Sequence, residues 1–331
     1  MATASAPLID GYGRRISYVR LSVTDRCDLR CRYCMPERMS FLPRAELLTL
    51  AELETLAELF IARGVTRIRL TGGEPLVRRG VERLIEALGR RVGAGLDELT
   101  LTTNGTQLAR FAPVLAAAGV ARVNVSLDSL NPERFATITR GGDLGRVLDG
   151  IAEAARHGLR IKINTVALKS VNEGELPGLL AWCVAQGHDL TLIETMPLGD
   201  VEGRPGHYLG LDQVKRVLDE RFTLIPSLAR TGGPARYWDV AGAGVRLGLI
   251  TPLSNNFCAG CNRIRVTATG QVFGCLGHDQ SVELRDLLRA GGAPRVHQAL
   301  DQLVASKPER HRFRIAAARP AVARTMSVTG G

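Results

Sequence analysis

Between Ile16 and residue 221, short apolar runs of strand length alternate with amphipathic runs of helix length, six times over. Strands are expected at 16–24, 65–71, 98–103, 120–127, 159–167 and 189–195. After an irregular stretch at 36–48, the first helix carries clear signals. Thr49 and Glu52 form a capping box, Leu53, Leu56, Ala57, Phe60 and Ile61 share one face, and Gly64 supplies a left-handed stop. Further helices are expected near 80–91, 106–118 and 211–221. Another at 143–157 lies beyond an Asn131-Pro132 cap and first-turn pair, and one is capped by Asn172 and Glu175. Such a chain is α/β: a parallel sheet covered by helices, better built as a curved, partial (β/α)6-type barrel (an incomplete TIM barrel) than as a doubly wound sheet.

The rhythm stops near 220. Residues 222–250 are rich in Gly and Pro, 263–275 reads as a hairpin turning at Thr269-Gly270, and helices follow near 282–290 and 294–306. The expected division is a loose N-terminal arm at 1–15, a barrel at 16–220 and a C-terminal domain at 221–331.

Charge narrows the partners. Lysine and arginine outnumber aspartate and glutamate 43 to 33, and with four lysines 39 of the 43 are arginine, the better planar fork for phosphate. Nucleic acid is the obvious partner of a basic chain, but the arginines are dispersed and aromatic residues make up only 5%, too few for a stacking platform. A small anionic ligand fits better. Seven cysteines is an odd number, the N-terminus lacks a charged stretch before an apolar run, and no segment reaches membrane-spanning length. The expectation is a cytoplasmic protein with reduced thiols and no membrane partner.

Those thiols fall into two groups of three. Cys27, Cys31 and Cys34 lie within eight positions, in a loop delivered by the first strand. Three thiolates without a local fourth donor make a poor structural zinc site and suit an iron–sulfur cluster with one iron left open. Cys258-x-x-Cys261 is followed by Cys275, where His278 could instead complete a Cys3His zinc site. Cys183, beside Trp182, reads as core.

In barrels, ligands meet the C-terminal ends of strands. Those ends carry the three cysteines, Thr71-Gly72-Gly73-Glu74-Pro75, Thr102-Thr103-Asn104-Gly105, Ser126-Leu127-Asp128, Lys162 with Asn164, and Glu194-Thr195-Met196-Pro197. The glycines there let a ligand approach bare backbone. Arg263 and Arg265, two apart on a strand, point to one side as a clamp for phosphate or carboxylate.

Cys27-x3-Cys31-x2-Cys34 with Tyr33, followed by Gly72-Gly73-Glu74-Pro75, resembles the radical S-adenosylmethionine (SAM) enzymes. Cys258-x2-Cys261-x13-Cys275, Arg263-Ile264-Arg265 and a terminal Gly330-Gly331 narrow the resemblance to the GTP 3′,8-cyclase family of molybdenum-cofactor biosynthesis, from about residue 10 to the last. This resemblance implies a [4Fe–4S] cluster on Cys27, Cys31 and Cys34 that binds and cleaves SAM to a 5′-deoxyadenosyl radical, and a second on Cys258, Cys261 and Cys275 that holds the guanine of GTP. The radical would take hydrogen from C3′, and the carbon radical would attack C8 to give 3′,8-cyclo-7,8-dihydroguanosine triphosphate. By position, Tyr33, Gly73, Ser126 and Met196 would contact SAM. Arg20, Arg69, Thr102, Lys162, Arg263 and Arg265 would contact GTP, the last two as catalytic residues. The resemblance also implies an electron donor, a downstream cyclic pyranopterin monophosphate synthase, a homodimer, and a C-terminal tail that enters the active site. Asp28, Arg67 and Thr195 depart from the family's usual asparagine, lysine and aromatic. The rivals are a radical SAM enzyme with an auxiliary cluster acting on a peptide or another nucleotide, and a zinc-stabilised nucleic-acid-binding protein.

Overall fold

The computed structural model describes residues 6–199, 204–314 and 320–330; residues 1–5 of the arm and Gly331 of the tail lie outside them. From residue 6 the arm is packed rather than loose. Leu8 is buried, its amide reaches Arg63 O at 3.3 Å, and Ile9 bridges Arg15.

Six strand–helix units follow. β1 (Tyr18–Ser22) precedes α1 (Leu50–Ala62), β2 (Arg67–Thr71) precedes α2 (Val81–Gly89), and β3 (Glu98–Thr103) precedes α3 (Leu108–Ala117). β4 (Arg122–Ser126) leads into α4 (Pro132–Thr139) and α5 (Leu144–Arg156). β5 (Ile161–Ala167) leads to α6 (Leu176–Gln186), and β6 (Asp189–Glu194) to α7 (Leu211–Asp219). Strands β1 to β6 pair in parallel in chain order. The Thr49–Glu52 capping box is present, with Thr49 Oγ1 accepting from Glu52 N at 3.1 Å and Glu52 Oε2 from Thr49 N at 2.7 Å.

One expected cap does other work. Asn172 is buried, donating 2.9 Å bonds to Asp128 O and Val166 O and accepting from Leu168 N at 2.8 Å. Satisfying buried backbone groups outweighs capping a helix that can start on a 3-10 turn at Glu173–Glu175.

The last third builds onto the same sheet. It adds β7 (Leu224–Pro226), β8 (Arg236–Val240), β9 (Arg246–Ile250), β10 (Arg263–Val266), β11 (Gln271–Phe273) and β12 (Ser281–Glu283). The order is β12-β11-β10-β1-β2-β3-β4-β5-β6-β9-β8-β7. β10 is parallel to β1 and β9 parallel to β6, while the outer pairs are antiparallel, as the expected hairpin at 263–275 requires. With β12 and β7 at opposite edges, the described sheet is an incomplete barrel. The two helices expected near 282–290 and 294–306 are present, meeting at a break at Gly292, where φ is 65°, and are labelled together α8 (Leu284–Ala305). A short α9 (Met326–Thr329) closes the described chain.

Strand alternation separates core from cavity. Val19, Leu21, Ile68, Leu70, Leu99, Leu101, Val123 and Val125 join the hydrophobic core with Leu53, Leu56 and Phe60 of α1. Their neighbours Arg20, Arg69, Thr102, Asn124 and Lys162 face the other way, into a chamber.

Candidate active site

The chamber has a volume of about 780 Å³. Both thiol groups line it, Cys27, Cys31 and Cys34 from the loop after β1, Cys258 and Cys261 from the segment before β10, and Cys275 from the segment after β11. So do Tyr33, Gly73, Ser126 and Met196, together with Arg20, Arg69, Thr102, Lys162, Arg263 and Arg265. The structure therefore brings the expected cluster, SAM and GTP residues to one cavity, while Glu74, Asp128 and His278, also singled out in the sequence, do not line it.

The first thiol loop is held by its surroundings. Cys34 N and Met35 N turn back on Cys31 O at 2.9 and 3.0 Å, while Arg30 N and Arg32 N bond Thr139 O and Ile138 O at 3.0 Å. Arg140 ends α4 in the left-handed region, φ 55°, and donates to Arg30 O and Met35 O. The glycines of the β2 turn serve this loop as well as the cavity. A Cβ on Gly72 would stand 2.7 Å from Thr24 O, and one on Gly73 would collide with Arg26 O. The turn is closed by Glu74, fully buried, which accepts from Asn104 N at 2.6 Å, Thr103 Oγ1 at 2.8 Å and Leu76 N at 2.9 Å. Burial nevertheless pushes its carboxyl up to about 7. Asp28 is bonded by Asn104 Nδ2 at 2.7 Å and Thr106 Oγ1 at 2.6 Å.

Tyr33 donates its hydroxyl to Asp128 Oδ2 at 2.8 Å. Asp128, raised to about 6 by burial, also accepts from Val166 N at 2.8 Å. The strand ends of β1, β4 and β5 are thus tied together under the cavity.

Opposite them lies a row of cations set by register. Arg265 of β10 pairs with Arg20 of β1, which pairs with Arg69 of β2. Burial lowers the Arg20 pKa well below its ordinary value, and Arg265 and Arg69 lower it further. Arg265 falls to about 9 through burial and then Arg263. Lys162, 5% exposed, donates to Tyr237 OH, which in turn meets Thr231 Oγ1 at 3.1 Å. Burial, then Arg122 and Arg69, bring its ammonium down to about 7. Thr102 Oγ1, Thr191 Oγ1 and Tyr18 OH line the chamber buried and without hydrogen-bond partners among the described residues. A wall of guanidiniums and unsatisfied hydroxyls fits an anionic, polar ligand.

Three thiolates without a fourth local donor suit an iron–sulfur cluster with one iron left open. His278, the fourth ligand of the zinc alternative, bonds Arg310 O at 3.0 Å instead. Burial, with Glu74 next, pushes the Cys27 thiol up to about 12; burial likewise raises Cys34 to about 12, and Cys31 rises well above its usual value. Such a pocket holds thiolates once a cationic centre compensates them. At Cys261 burial acts upward, but Arg263 and Lys307 outweigh it and bring the thiol to about 7.

Residues 320–330 reach the same chamber, which Met326 helps to line. Ala321 N bonds Pro197 O at 2.8 Å and Gly199 N bonds Val322 O at 3.0 Å, laying the tail beside the segment after β6. Arg324 donates to Leu276 O at 2.7 Å and His278 O at 2.6 Å, with its guanidinium 4.0 Å from the Phe273 ring centre. Gly330 O accepts from Arg265 Nη1, and a Cβ on Gly330 would strike Thr71 Oγ1. Sequence reading gave no role to Lys307, Arg324 or Tyr237, whose partners stand far off in the chain. Asp128 was visible only as a strand-end residue.

Two family models match end to end. Residues 21–183 match the Radical SAM superfamily and 188–313 match Molybdenum Cofactor Synthesis C, so each thiol group falls in one of them. The chain is 61% identical over 331 residues to GTP 3′,8-cyclase of Erythrobacter litoralis, covering 99% of this chain and 100% of the relative. It is 55% identical to GTP 3′,8-cyclase of Rhizobium meliloti, covering 99% and 96%. Among solved structures, Streptococcus suis SuiB bound to S-adenosylmethionine aligns with a TM-score of 0.59 at 14% identity, over 83% of this chain and 64% of that one. Native anSMEcpe with bound AdoMet aligns with a TM-score of 0.58 at 15% identity, over 86% and 83%. The structural likeness shows a shared fold, and the full-length identity decides the rest. The chain belongs to the GTP 3′,8-cyclase family of the radical SAM superfamily.

Proposed function

We propose that this chain converts GTP to 3′,8-cyclo-7,8-dihydroguanosine triphosphate, the first step of molybdenum-cofactor biosynthesis. The observation that carries the reading is the shared chamber, with two thiol triads and the Arg265–Arg20–Arg69 row opening on one volume. A reduced four-iron cluster with SAM at its open iron supplies, when bound, the one-electron chemistry. Cys27, Cys31 and Cys34 would hold it, and Cys258, Cys261 and Cys275 would hold a second cluster beside the base.

In this reading the residues of the chamber bind, orient and keep water out. Gly73, Ser126 and Met196 bound the SAM side, with Tyr33 fixed there by its bond to Asp128. Arg20, Arg69, Thr102, Lys162, Arg263 and Arg265 hold the triphosphate and sugar, with charge-assisted bonds replacing the hydration that the cavity removes. Lys162 Nζ takes up a proton as the phosphates arrive. The same reading carries a homodimer in the cytoplasm with an external electron donor, passing its product to a cyclic pyranopterin monophosphate synthase. Among the described residues no helix is long and apolar enough to cross a membrane.

The test is an anaerobic assay with reductant, SAM and each nucleoside triphosphate in turn, following 5′-deoxyadenosine. Release stimulated by GTP alone is expected; equal release with every nucleotide, or with none, contradicts the assignment.

A further inference from the structure

Lys307 follows the end of α8 and is 3% exposed. Its Nζ donates to Gly274 O at 2.6 Å and to Cys261 Sγ at 3.5 Å. Among the described residues, no ion pair to a carboxylate involves it. A buried ammonium without an anion is strongly disfavoured. Its two acceptors are a carbonyl and a sulfur, so the charge is compensated when that sulfur belongs to an anionic group. Arg263 also bonds and attracts Cys261, but from the chamber wall, where it is one of the residues assigned to GTP, whereas Lys307 does not line the chamber. Two further cations approach the same thiol group through backbone only. Arg14 Nη1 meets Cys258 O at 2.8 Å and Arg324 Nη2 meets Cys275 O at 3.2 Å, and each already pairs with a carboxylate, Asp10 and Asp279. At the first thiol group, the donors to Cys27 Sγ are neutral, Leu29 N at 3.4 Å and Asn104 Nδ2 at 3.7 Å.

We propose that Lys307 is a positioning residue that raises the reduction potential of the iron–sulfur centre on Cys258, Cys261 and Cys275. This rests on the reading that those cysteines hold a cluster. Reduction adds one electron, supplied by the external donor, to a centre that is already anionic with its thiolates. A hydrogen bond and a full positive charge at one ligand sulfur, inside a low-dielectric wall, favour the reduced form. By bonding Gly274 O, the same ammonium holds the approach to Cys275 in register with Cys261.

The experiment uses the full chain with Cys27→Ala, Cys31→Ala and Cys34→Ala, reconstituted anaerobically so that only the second centre gives a signal. Iron is measured first, and a chain without it overturns the second-cluster reading itself. With iron bound, the midpoint potential is titrated by electron paramagnetic resonance (EPR). Lys307→Gln keeps a donor and removes the charge, and is expected to lower the equilibrium constant for reduction tenfold or more, about 59 mV for one electron. Lys307→Arg is expected to shift it far less. An unchanged midpoint in iron-loaded Lys307→Gln overturns the proposal, since a merely structural lysine would change iron content without moving the potential. A second readout needs no Lys307 variant. The chain has four lysines, so labelling them with 15N gives few signals, and pulsed EPR of the reduced centre is expected to show coupling to a lysine nitrogen. Its absence also overturns the proposal.

Discussion

Lys162 lies buried against Tyr237, and its ammonium form is disfavoured by burial and then by Arg122 and Arg69, so it titrates near 7. An unfolded lysine keeps its proton to about pH 10.4. The unfolded chain therefore binds more protons between those values, and this group's contribution to stability rises with pH from about 7 to about 10.4. A triphosphate reverses the preference. GTP binding at pH 8 is expected to take up about one proton, measured as a calorimetric heat that varies with the ionisation enthalpy of the buffer. Lys162→Met should abolish that dependence, and buffer-independent heat in the parent chain would contradict it. Arg265 adds a second prediction at this scale. Removing one charge-assisted contact costs about 1.5–3 kcal/mol, so Arg265→Ala should weaken GTP binding roughly 10- to 150-fold by calorimetry. Unchanged affinity would count against the clamp. Arg265 also holds Gly330 O, so the variant should free the tail as well.

At the scale of elements, the first thiol loop depends on the turn after β2. Gly73→Ala places a methyl against Arg26 O and pushes the loop away from β2. The expected result is loss of iron from the first site with the second retained; full iron content would show that the loop yields. α1 depends on its cap. Thr49→Ala is expected to lower stability by about 1 kcal/mol, read as a lower urea midpoint with unchanged slope. Glu52 of that cap is held down at about 2, first by its bond to Arg289 of α8. Its stabilising share is present above the unfolded value of about 4.3 and fades as pH falls toward about 2. That share is small, because its partner Arg289 is exposed and solvent screens the pair. This box was legible in the sequence because its partners are three residues apart. Asn172 was misread for the opposite reason, since the carbonyls it satisfies belong to Asp128 and Val166 on neighbouring strand ends.

For the whole molecule, the strand ends announced the cavity because βα units place their C-terminal ends on one side. What local pattern could not supply was the pairing of distant segments. Nothing in 246–250 or 263–266 says that these strands add in parallel beside β6 and β1, yet that pairing sets Arg265 next to Arg20 and closes the second thiol group onto the first group's chamber. Lys307 and Cys261 are 46 residues apart, and their contact exists only through this assembly. In the proposed reaction SAM and GTP share this one cavity, and a hydrogen leaves C3′ of the ribose for the 5′-deoxyadenosine formed from SAM. Anaerobic turnover of 3′-deuterated GTP, with mass spectrometry of the released 5′-deoxyadenosine, tests this most directly. Transfer of one deuterium is the result predicted here, and 5′-deoxyadenosine formed during turnover without deuterium would contradict it.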